Sequence, residues 1–234
     1  MAQEIFNRIE KKYMLYQDGY QKLMKELEPY ITLNSFGHQT ICNLYFDNST
    51  YEIARNSISK PVYKEKIRVR SYGIPDKDTK VFLELKKKYK KMVNKRRIGL
   101  TLQELERYLY FNRPPEKNKQ IFEELDYCIK TKHLVPTMYV AYDRVSYFAN
   151  SDENLRITFD SNLRYRKEHI DFEYGDVAQK FFDQDVYIME IKTLNAIPLW
   201  LVDILSRLEI YPTSFSKYGE IYKKEILKRE WERV

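Results

Sequence analysis

Residues 61–72 alternate between basic and other side chains, and this alternation constrains the fold more than any other feature of the chain. One set of alternate positions carries Lys64, Lys66, Arg68 and Arg70. The other set carries Tyr63, Glu65, Ile67, Val69 and Ser71. Successive side chains of a β-strand point to opposite faces, so this period of two predicts a strand with one basic face. Further strands are predicted at 5–16, 39–47, 80–88, 92–100, 137–149, 154–160 and 185–193.

Helical patterns separate several of these strands. They cover Asp18 to Glu28, the residues after Thr101, residues 115–131 and residues 198–208. Thr101 and Glu104 have the spacing of a capping box, and Pro114-Pro115 is placed to begin the third helix. A closed sheet removes the unpaired edges of so many strands. We therefore predict an α+β fold: a closed eight-stranded antiparallel β-barrel with helices packed on the outside.

The charged strand faces allow two arrangements. Charges can coat the outside of an apolar barrel, and for one isolated strand this is favoured by about three to one. Alternatively the apolar faces point outward under the helices, whose apolar stripes need a surface to pack on, and the charges line the interior. We favour the second arrangement. The inward cations would then be Arg8, Lys12, Lys66, Arg68, Arg70, Lys86, Lys95, Arg97, Arg144, Arg156 and Lys192, with the carboxylates Glu10, Glu84 and Glu190.

Such an interior would repel itself when empty and would be neutralised by a polyphosphate, through charge-assisted and often bidentate contacts from arginine. The formal net charge of +7 agrees with an anionic partner but does not identify it. The few carboxylates would serve better as ligands of a divalent cation, because such ions take oxygen ligands and share them with phosphates.

Other features set the cellular context. Cys42 and Cys128 lie far apart, which argues against a disulfide framework or a zinc site. No apolar run approaches the ~20 residues that span a bilayer, and the N-terminus has no apolar core of a signal peptide. Without a Gly/Ser-rich linker, residues 1–234 are predicted to form one cytoplasmic domain.

Several of these segments resemble a known family. The run Arg8-Ile9-Glu10-Lys11-Lys12-Tyr13 is similar to the first strand of the triphosphate tunnel metalloenzymes. The chain resembles more closely the catalytic domain of the vacuolar transporter chaperone (VTC) family, the polyphosphate polymerases. The matching segments, in family order, begin at Lys66, Phe82, Lys95, Tyr142, Leu155, Ile188 and Phe215.

The resemblance implies a tunnel that grips the triphosphate of ATP, and it implies roles for single residues. The catalytic contacts to phosphate would be Lys12, Arg68, Arg70, Lys86, Lys95, Arg144, Arg156 and Lys192. Further substrate contacts would be Arg8, Lys66, Arg97, Ser216 and Lys217. Glu190 would hold Mg²⁺ or Mn²⁺, with Glu10 and Glu84 as the next candidates. Only Ser216 and Lys217 rest on the resemblance alone.

Two departures from the family bear on function. Tunnel hydrolases usually begin with E-x-E-x-K, whereas this chain has Arg8 in place of the first glutamate. A lost carboxylate disfavours hydrolysis, and an added cation favours a longer anion. The length also leaves no room for the phosphate-sensing domain and membrane helices of the eukaryotic family, so we expect a free-standing catalytic domain of the bacterial type.

The reaction predicted from these features is transfer of the γ-phosphoryl group of ATP to a growing polyphosphate chain. Two alternatives stay open: hydrolysis of tripolyphosphate or a nucleoside triphosphate on the same fold, and a non-catalytic module that binds polyphosphate or RNA. RNA binders often expose aromatic side chains beside their cations, whereas here the aromatics alternate opposite the cations, which argues against nucleic acid.

Overall fold

The computed structural model describes residues 9–90, 92–194 and 196–227. The described strands are β1 (Ile9–Tyr16), β2 (Ile31–Asp47), β3 (Tyr63–Tyr72), β4 (Lys80–Tyr89), β5 (Met92–Thr101), β6 (Val135–Ala149), β7 (Asp152–Arg166), β8 (Gln179–Lys180) and β9 (Val186–Thr193). The described helices are α1 (Gln17–Leu27), α2 (Glu52–Ser59), α3 (Leu102–Phe111), α4 (Lys119–Thr131), α5 (Leu199–Arg207) and α6 (Lys217–Tyr222), followed by a π-helical turn, Lys223–Leu227.

The strands pair in the order β1-β9-β7-β6-β2-β3-β4-β5, and β8 pairs with β7. The pairs β1–β9, β9–β7, β2–β3, β3–β4 and β4–β5 are antiparallel. The predicted α+β class with an antiparallel sheet is therefore confirmed. The paired strands form a linear order among the described residues, so closure of the sheet into a barrel stays a prediction.

The described residues group into two compact units. The first comprises residues 9–40, 142–163 and 180–215, and the second comprises residues 41–141, 164–179 and 216–227. The prediction of one domain over 1–234 is not tested by this grouping and stays a prediction. None of the described helices combines the length and the apolar character that crossing a membrane requires.

The core of the first unit lies between one face of its strands and two helices. Tyr13 of β1, Met189 and Ile191 of β9, and Ile157 and Phe159 of β7 share the buried face. Leu23 and Leu27 of α1 and Leu201, Ile204 and Leu205 of α5 belong to the same core. The helices thus cover the apolar face of this part of the sheet, as the second arrangement of charges requires.

The second unit repeats this layering. The buried face carries Ile67 and Val69 of β3, Leu83 and Leu85 of β4, and Ile98 and Leu100 of β5. Helices α3 and α4 contact β5, and Tyr108 of α3 packs edge-on against Phe122 of α4 with ring centroids 4.8 Å apart. In both units the apolar strand face therefore lies under helices, which leaves the charged positions on the opposite face.

Element boundaries differ from the predictions where local signals are weak. Strand β2 begins at Ile31 rather than 39, because the polar residues between 34 and 40 hide its alternation. The capping box at Thr101 and Glu104 is confirmed. Helix α4 begins at Lys119, after Pro114-Pro115 rather than at it. Helix α2 was not predicted, because its N-cap residue, Tyr51, makes no side-chain cap. Instead the carboxylate of Asp47, outside the usual cap position, accepts hydrogen bonds from the amides of Ile53 and Ala54, both at 2.9 Å.

Candidate functional site

The second unit presents a basic strand face opposite the apolar one. Side chains directly opposite one another on paired strands share a face. One row across β3, β4 and β5 is Arg68–Glu84–Arg97, and the next is Lys66–Lys86–Lys95. Arg70 lies on the same face of β3, two residues from Arg68. These seven residues are called the basic face of the second unit.

Glu84 is the electrostatic centre of this face. Its side chain is only 2% exposed, and its oxygens lie 2.9 Å from both Arg68 Nη2 and Lys95 Nζ and 3.3 Å from Arg97 Nε. Burial by itself would raise the pKa of Glu84, but the charges of Arg68, Arg70 and Lys95 lower it to about 2. One buried carboxylate thus holds three cations together.

Neutral side chains fix the orientation of the two central arginines. Arg70 Nε donates to Asn43 Oδ1 at 3.2 Å, and Asn43 is itself buried and donates to the carbonyl of Val140 at 3.1 Å. Arg68 Nη1 donates to the hydroxyl of Tyr45 at 3.2 Å. These contacts restrict the rotamers of both arginines, so less conformational entropy would be lost if they bound an anion.

Arg97 is positioned by aromatic rings. Its guanidinium carbon lies 3.4 Å from the ring centroid of Phe82, which is within the range of a cation–π contact. Its Nη2 donates to the hydroxyl of Tyr72 at 3.3 Å. Burial would raise the pKa of Tyr72, but the charge of Arg70 and the hydrogen bond from Arg97 lower it.

Ser216 joins this face through Lys66. Lys66 Nζ donates to Ser216 Oγ at 2.8 Å, and the same oxygen accepts the amide of Gly219 at 3.2 Å as the N-terminal cap of α6. Ser216, which only the family resemblance implied, thus contacts the basic face through Lys66. Lys217 is the first residue of α6 and is partly buried.

The first unit presents a second charged strand face, also opposite the apolar one. Its register places Glu10 opposite Lys192 and Lys12 opposite Glu190 between β1 and β9. Arg156 lies opposite Lys192, and Thr158 opposite Glu190, between β7 and β9. Glu10, Lys12, Arg156, Glu190, Lys192 and Arg144 of β6 are called the basic face of the first unit.

Each cation of this face has a defined contact. Arg144 makes a two-pronged ion pair with Asp160, with Nε 2.6 Å from Oδ1 and Nη2 2.9 Å from Oδ2. Lys12 Nζ donates to the carbonyl of Phe215 at 3.1 Å. Lys192 Nζ lies 2.8 Å from Glu190 Oε2. Arg156 is exposed, with its guanidinium 5.0 Å from the ring centroid of Phe148.

Glu190 and Glu10 are the carboxylates best suited to a divalent cation. Burial would raise the pKa of Glu190, but Lys192, a hydrogen bond with Glu10 and the charge of Lys12 hold it well below its usual value. Two carboxyl groups within hydrogen-bond distance must share a proton or a cation. The hydroxyl of Thr158, opposite Glu190, is buried and makes no hydrogen bond within the described chain.

This donor set fits Mg²⁺ or Mn²⁺, because hard ions are commonly held by one or two carboxylates together with substrate phosphates. No cluster of three or more His, Cys, Asp and Glu residues suited to a metal occurs in the part of the chain that the structure describes. Glu84 is already surrounded by three cations, so the geometry favours Glu190 and Glu10 over it.

The predicted site residues thus fall on two faces, one in each unit. The first carries Glu10, Lys12, Arg144, Arg156, Glu190 and Lys192, and the second carries Lys66, Arg68, Arg70, Glu84, Lys86, Lys95, Arg97 and, through Lys66, Ser216. Arg8 lies outside the described residues. Sequence reasoning missed Asn43, Tyr45, Tyr72 and Phe82, although their place on the alternation of the basic face could have revealed them. The expectation that the aromatics alternate opposite the cations is therefore wrong for this face, where Tyr45, Tyr72 and Phe82 lie beside arginines. It also missed Asp160 as the partner of Arg144.

Replacement of Glu84 tests whether this carboxylate holds the second face together. We expect Glu84→Gln to lower the free energy of unfolding at pH 7 by on the order of 3 kcal/mol, because Arg68, Lys95 and Arg97 lose the buried carboxylate that they share. A depressed folded pKa stabilises the protein above the unfolded value of 4.5, and this stabilisation is lost as the pH falls towards about 2. Urea unfolding measured between pH 7 and 2 should therefore show a smaller decrease in the free energy of unfolding for Glu84→Gln than for the wild type. Parallel pH profiles for the two proteins would contradict this role.

The fold and the two faces define an antiparallel α+β protein with cationic strand faces, and comparison with known proteins identifies its family. The model of the VTC domain matches residues 7–225. Since the match spans most of the chain, the protein belongs to the VTC domain family. A search of curated proteins found no match.

Two solved structures resemble the fold. A candidate adenylate cyclase from Bacillus halodurans has a TM-score of 0.56 at 15% identity, with 92% of this chain and 96% of that chain covered. A candidate adenylyl cyclase from Hippeastrum, described as having a dominant triphosphatase activity, has a TM-score of 0.52 at 16% identity, with 94% and 97% covered. At these identities the similarity concerns the fold.

Proposed function

We propose that the two basic faces bind phosphate chains and that the protein is a metal-dependent polyphosphate polymerase, which transfers the γ-phosphoryl group of ATP to the end of inorganic polyphosphate. The observation that carries the proposal is the pair of cation rows around the buried Glu84, on the strand face opposite the apolar one. Membership of the VTC domain family supports the same substrate class.

The reaction needs position and charge rather than a covalent protein nucleophile. A terminal oxygen of the acceptor chain forms a bond to the γ-phosphorus of ATP, the bond from that phosphorus to the β,γ-bridging oxygen breaks, and ADP leaves. Both reactants are anions, so their repulsion is the main obstacle. Arg68 and Arg70 would offset the charge of phosphates on the face of the second unit, and Arg144 and Arg156 would do so on the face of the first unit.

Glu190 and Glu10 would hold Mg²⁺ or Mn²⁺, which when bound neutralises phosphate oxygens. Lys12 and Lys192 lie beside Glu190, where they would bind phosphate oxygens close to those carboxylates. The proposal retains the closed eight-stranded tunnel that the family resemblance implies. It also retains the cytoplasm as the place of action, where ATP is the phosphoryl donor and Cys42 and Cys128 remain free thiols.

A second candidate is hydrolysis of tripolyphosphate or a nucleoside triphosphate. The triphosphatase activity described for the Hippeastrum protein, whose fold is similar, is the observation in its favour. Arg8 favours synthesis over hydrolysis, because the glutamate usual at this position in tunnel hydrolases would help to orient an attacking water. A non-catalytic polyphosphate-binding module is the remaining alternative.

The ratio of polymer to orthophosphate separates these functions. We expect the wild type, incubated with ATP and Mn²⁺, to form polyphosphate and to release little orthophosphate in the first turnovers. Arg8→Glu should lower the polymer-to-orthophosphate ratio about tenfold, because it removes a cation that favours the acceptor and adds a carboxylate suited to activate water. Gel separation of the polymer and a colorimetric phosphate assay give the ratio.

The conservative variant Arg8→Lys serves as the control and should keep the wild-type ratio. Orthophosphate as the sole product from the first turnover would overturn the polymerase and favour the triphosphatase. Absence of both products, with tripolyphosphate still bound, would favour the binding module.

A further inference from the structure

The basic face of the second unit extends past the residues assigned above. Lys64 of β3 is opposite Lys88 of β4, and the neighbouring row on the same face is Lys66–Lys86. Lys60, at the C-terminus of α2, lies close enough to act electrostatically on Lys64. We call Lys60, Lys64 and Lys88 the lysine extension.

The lysine extension differs electrostatically from the row around Glu84. Burial lowers the pKa of Lys64, and the charges of Lys88, Lys60 and Lys86 lower it further. The acidic groups nearest in register are engaged elsewhere: Glu65, on the opposite face of β3, forms an ion pair with Lys132. Lys87, also on that face, forms an ion pair with Glu124 at 2.7 Å. A group of like charges without a carboxylate is stabilised by a bound anion.

Geometry limits which anion can use this extension. Rows on the same strand face are two residues apart, or about 7 Å, so the Lys64–Lys88 row lies roughly 14 Å along the strands from the Arg68–Glu84 row. A triphosphate held at Arg68 and Arg70 is too short to reach it. A linear phosphate polymer is long enough, and it carries charge along its whole length.

We propose that the lysine extension is a binding site for phosphate units of a polyphosphate chain beyond the first three, so that the second unit binds long chains more tightly than tripolyphosphate. The inference rests on the proposed function, because it takes the basic face to bind phosphate. Val62, Tyr89, Met92 and Val93 are exposed beside the extension, and for that reason an anionic membrane is tested as the alternative occupant.

The decisive experiment compares chain lengths in a matched pair of variants. Lys64→Thr with Lys88→Thr should weaken binding of long-chain polyphosphate about tenfold and change tripolyphosphate binding less than about twofold, since each exposed ion contact contributes up to about a fourfold to fivefold effect. Lys117→Thr with Lys119→Thr removes the same charge from exposed positions of the same unit and should change neither affinity. Titration calorimetry at two salt concentrations gives all the values.

Lys88 is exposed and is also substituted singly, so the test holds if the partly buried Lys64 proves necessary for folding. The inference would be overturned if the Lys64 and Lys88 variants lost the same affinity for long-chain polyphosphate as for tripolyphosphate, or lost affinity for neither. The proposed function would stay intact in both cases. Failure of the wild type to bind tripolyphosphate or polyphosphate would instead overturn the proposed function. The inference about the lysine extension would also be overturned if Lys64 and Lys88 were needed to bind phosphatidylserine vesicles or single-stranded RNA but not polyphosphate. The surface would then be assigned to that ligand.

Discussion

Arg68→Ala combined with Arg70→Ala should weaken binding of tripolyphosphate about 100-fold or more. Each guanidinium can make charge-assisted, two-pronged contacts to phosphate, and Tyr45 and Asn43 hold the two side chains in place for such contacts. At a ligand concentration 100 times the wild-type dissociation constant, the wild type gains about 2.7 kcal/mol. For a chain of this size that is a rise in Tm of roughly 5–10 °C, against roughly 1 °C for the variant.

The comparison uses the shift of each protein relative to its own unliganded melt. This matters because removal of Arg68 also leaves the buried Glu84 with fewer partners, so the unliganded variant should itself be less stable, by about 1–3 kcal/mol. Arg55→Ala with Arg113→Ala, two exposed arginines of the same unit, removes the same charge and should keep the full ligand-induced shift. An undiminished shift in the Arg68 and Arg70 variant would show that triphosphate binds elsewhere.

Glu190→Gln should reduce metal-dependent turnover of ATP about 1,000-fold and leave nucleotide binding within about threefold. The substitution keeps the shape of the side chain but removes the charge that, with Glu10, would hold the divalent cation. Nucleotide affinity should be preserved because Lys12, Lys192 and Arg156 remain on the face. Single-turnover rates over a Mn²⁺ titration, with nucleotide binding measured separately, give both quantities.

Glu153→Gln, an exposed carboxylate of the same unit, is the matched control and should turn over at the wild-type rate. Glu10→Gln should raise the Mn²⁺ concentration needed for half-maximal rate, with a smaller loss of turnover than Glu190→Gln, because Glu10 is exposed. Wild-type metal dependence in Glu190→Gln would place the cation at another carboxylate, with Glu84 the next to test.

The period of two in β3, β4 and β5 made both the strands and their basic face predictable. A strand's two faces follow from local alternation, so Lys66, Arg68 and Arg70 could be assigned to one face from residues 61–72 alone. The packing of helices on the apolar strand faces also followed from the sequence, because amphipathic helices need an apolar surface. That the charged faces line a closed interior stays a prediction.

Pairing partners from distant parts of the chain could not be predicted in this way. The contact of Arg144 with Asp160 depends on the placement of β6 and β7, and that of Arg70 with Asn43 on the register of β2 and β3. Such contacts carry no local period, so they emerge only when the strands are placed next to one another. Glu84 had its place in the local alternation of β4, and as one carboxylate it leaves the six cations of its face in excess.

The melting temperature of the wild type with tripolyphosphate tests most directly whether the basic faces bind phosphate chains. Thermal melts of the wild type are measured with tripolyphosphate and, at equal ionic strength, with sodium chloride. A rise in Tm of roughly 5–10 °C at saturating tripolyphosphate, with no comparable rise in chloride, is the predicted result. An identical Tm in the two salts would contradict the account.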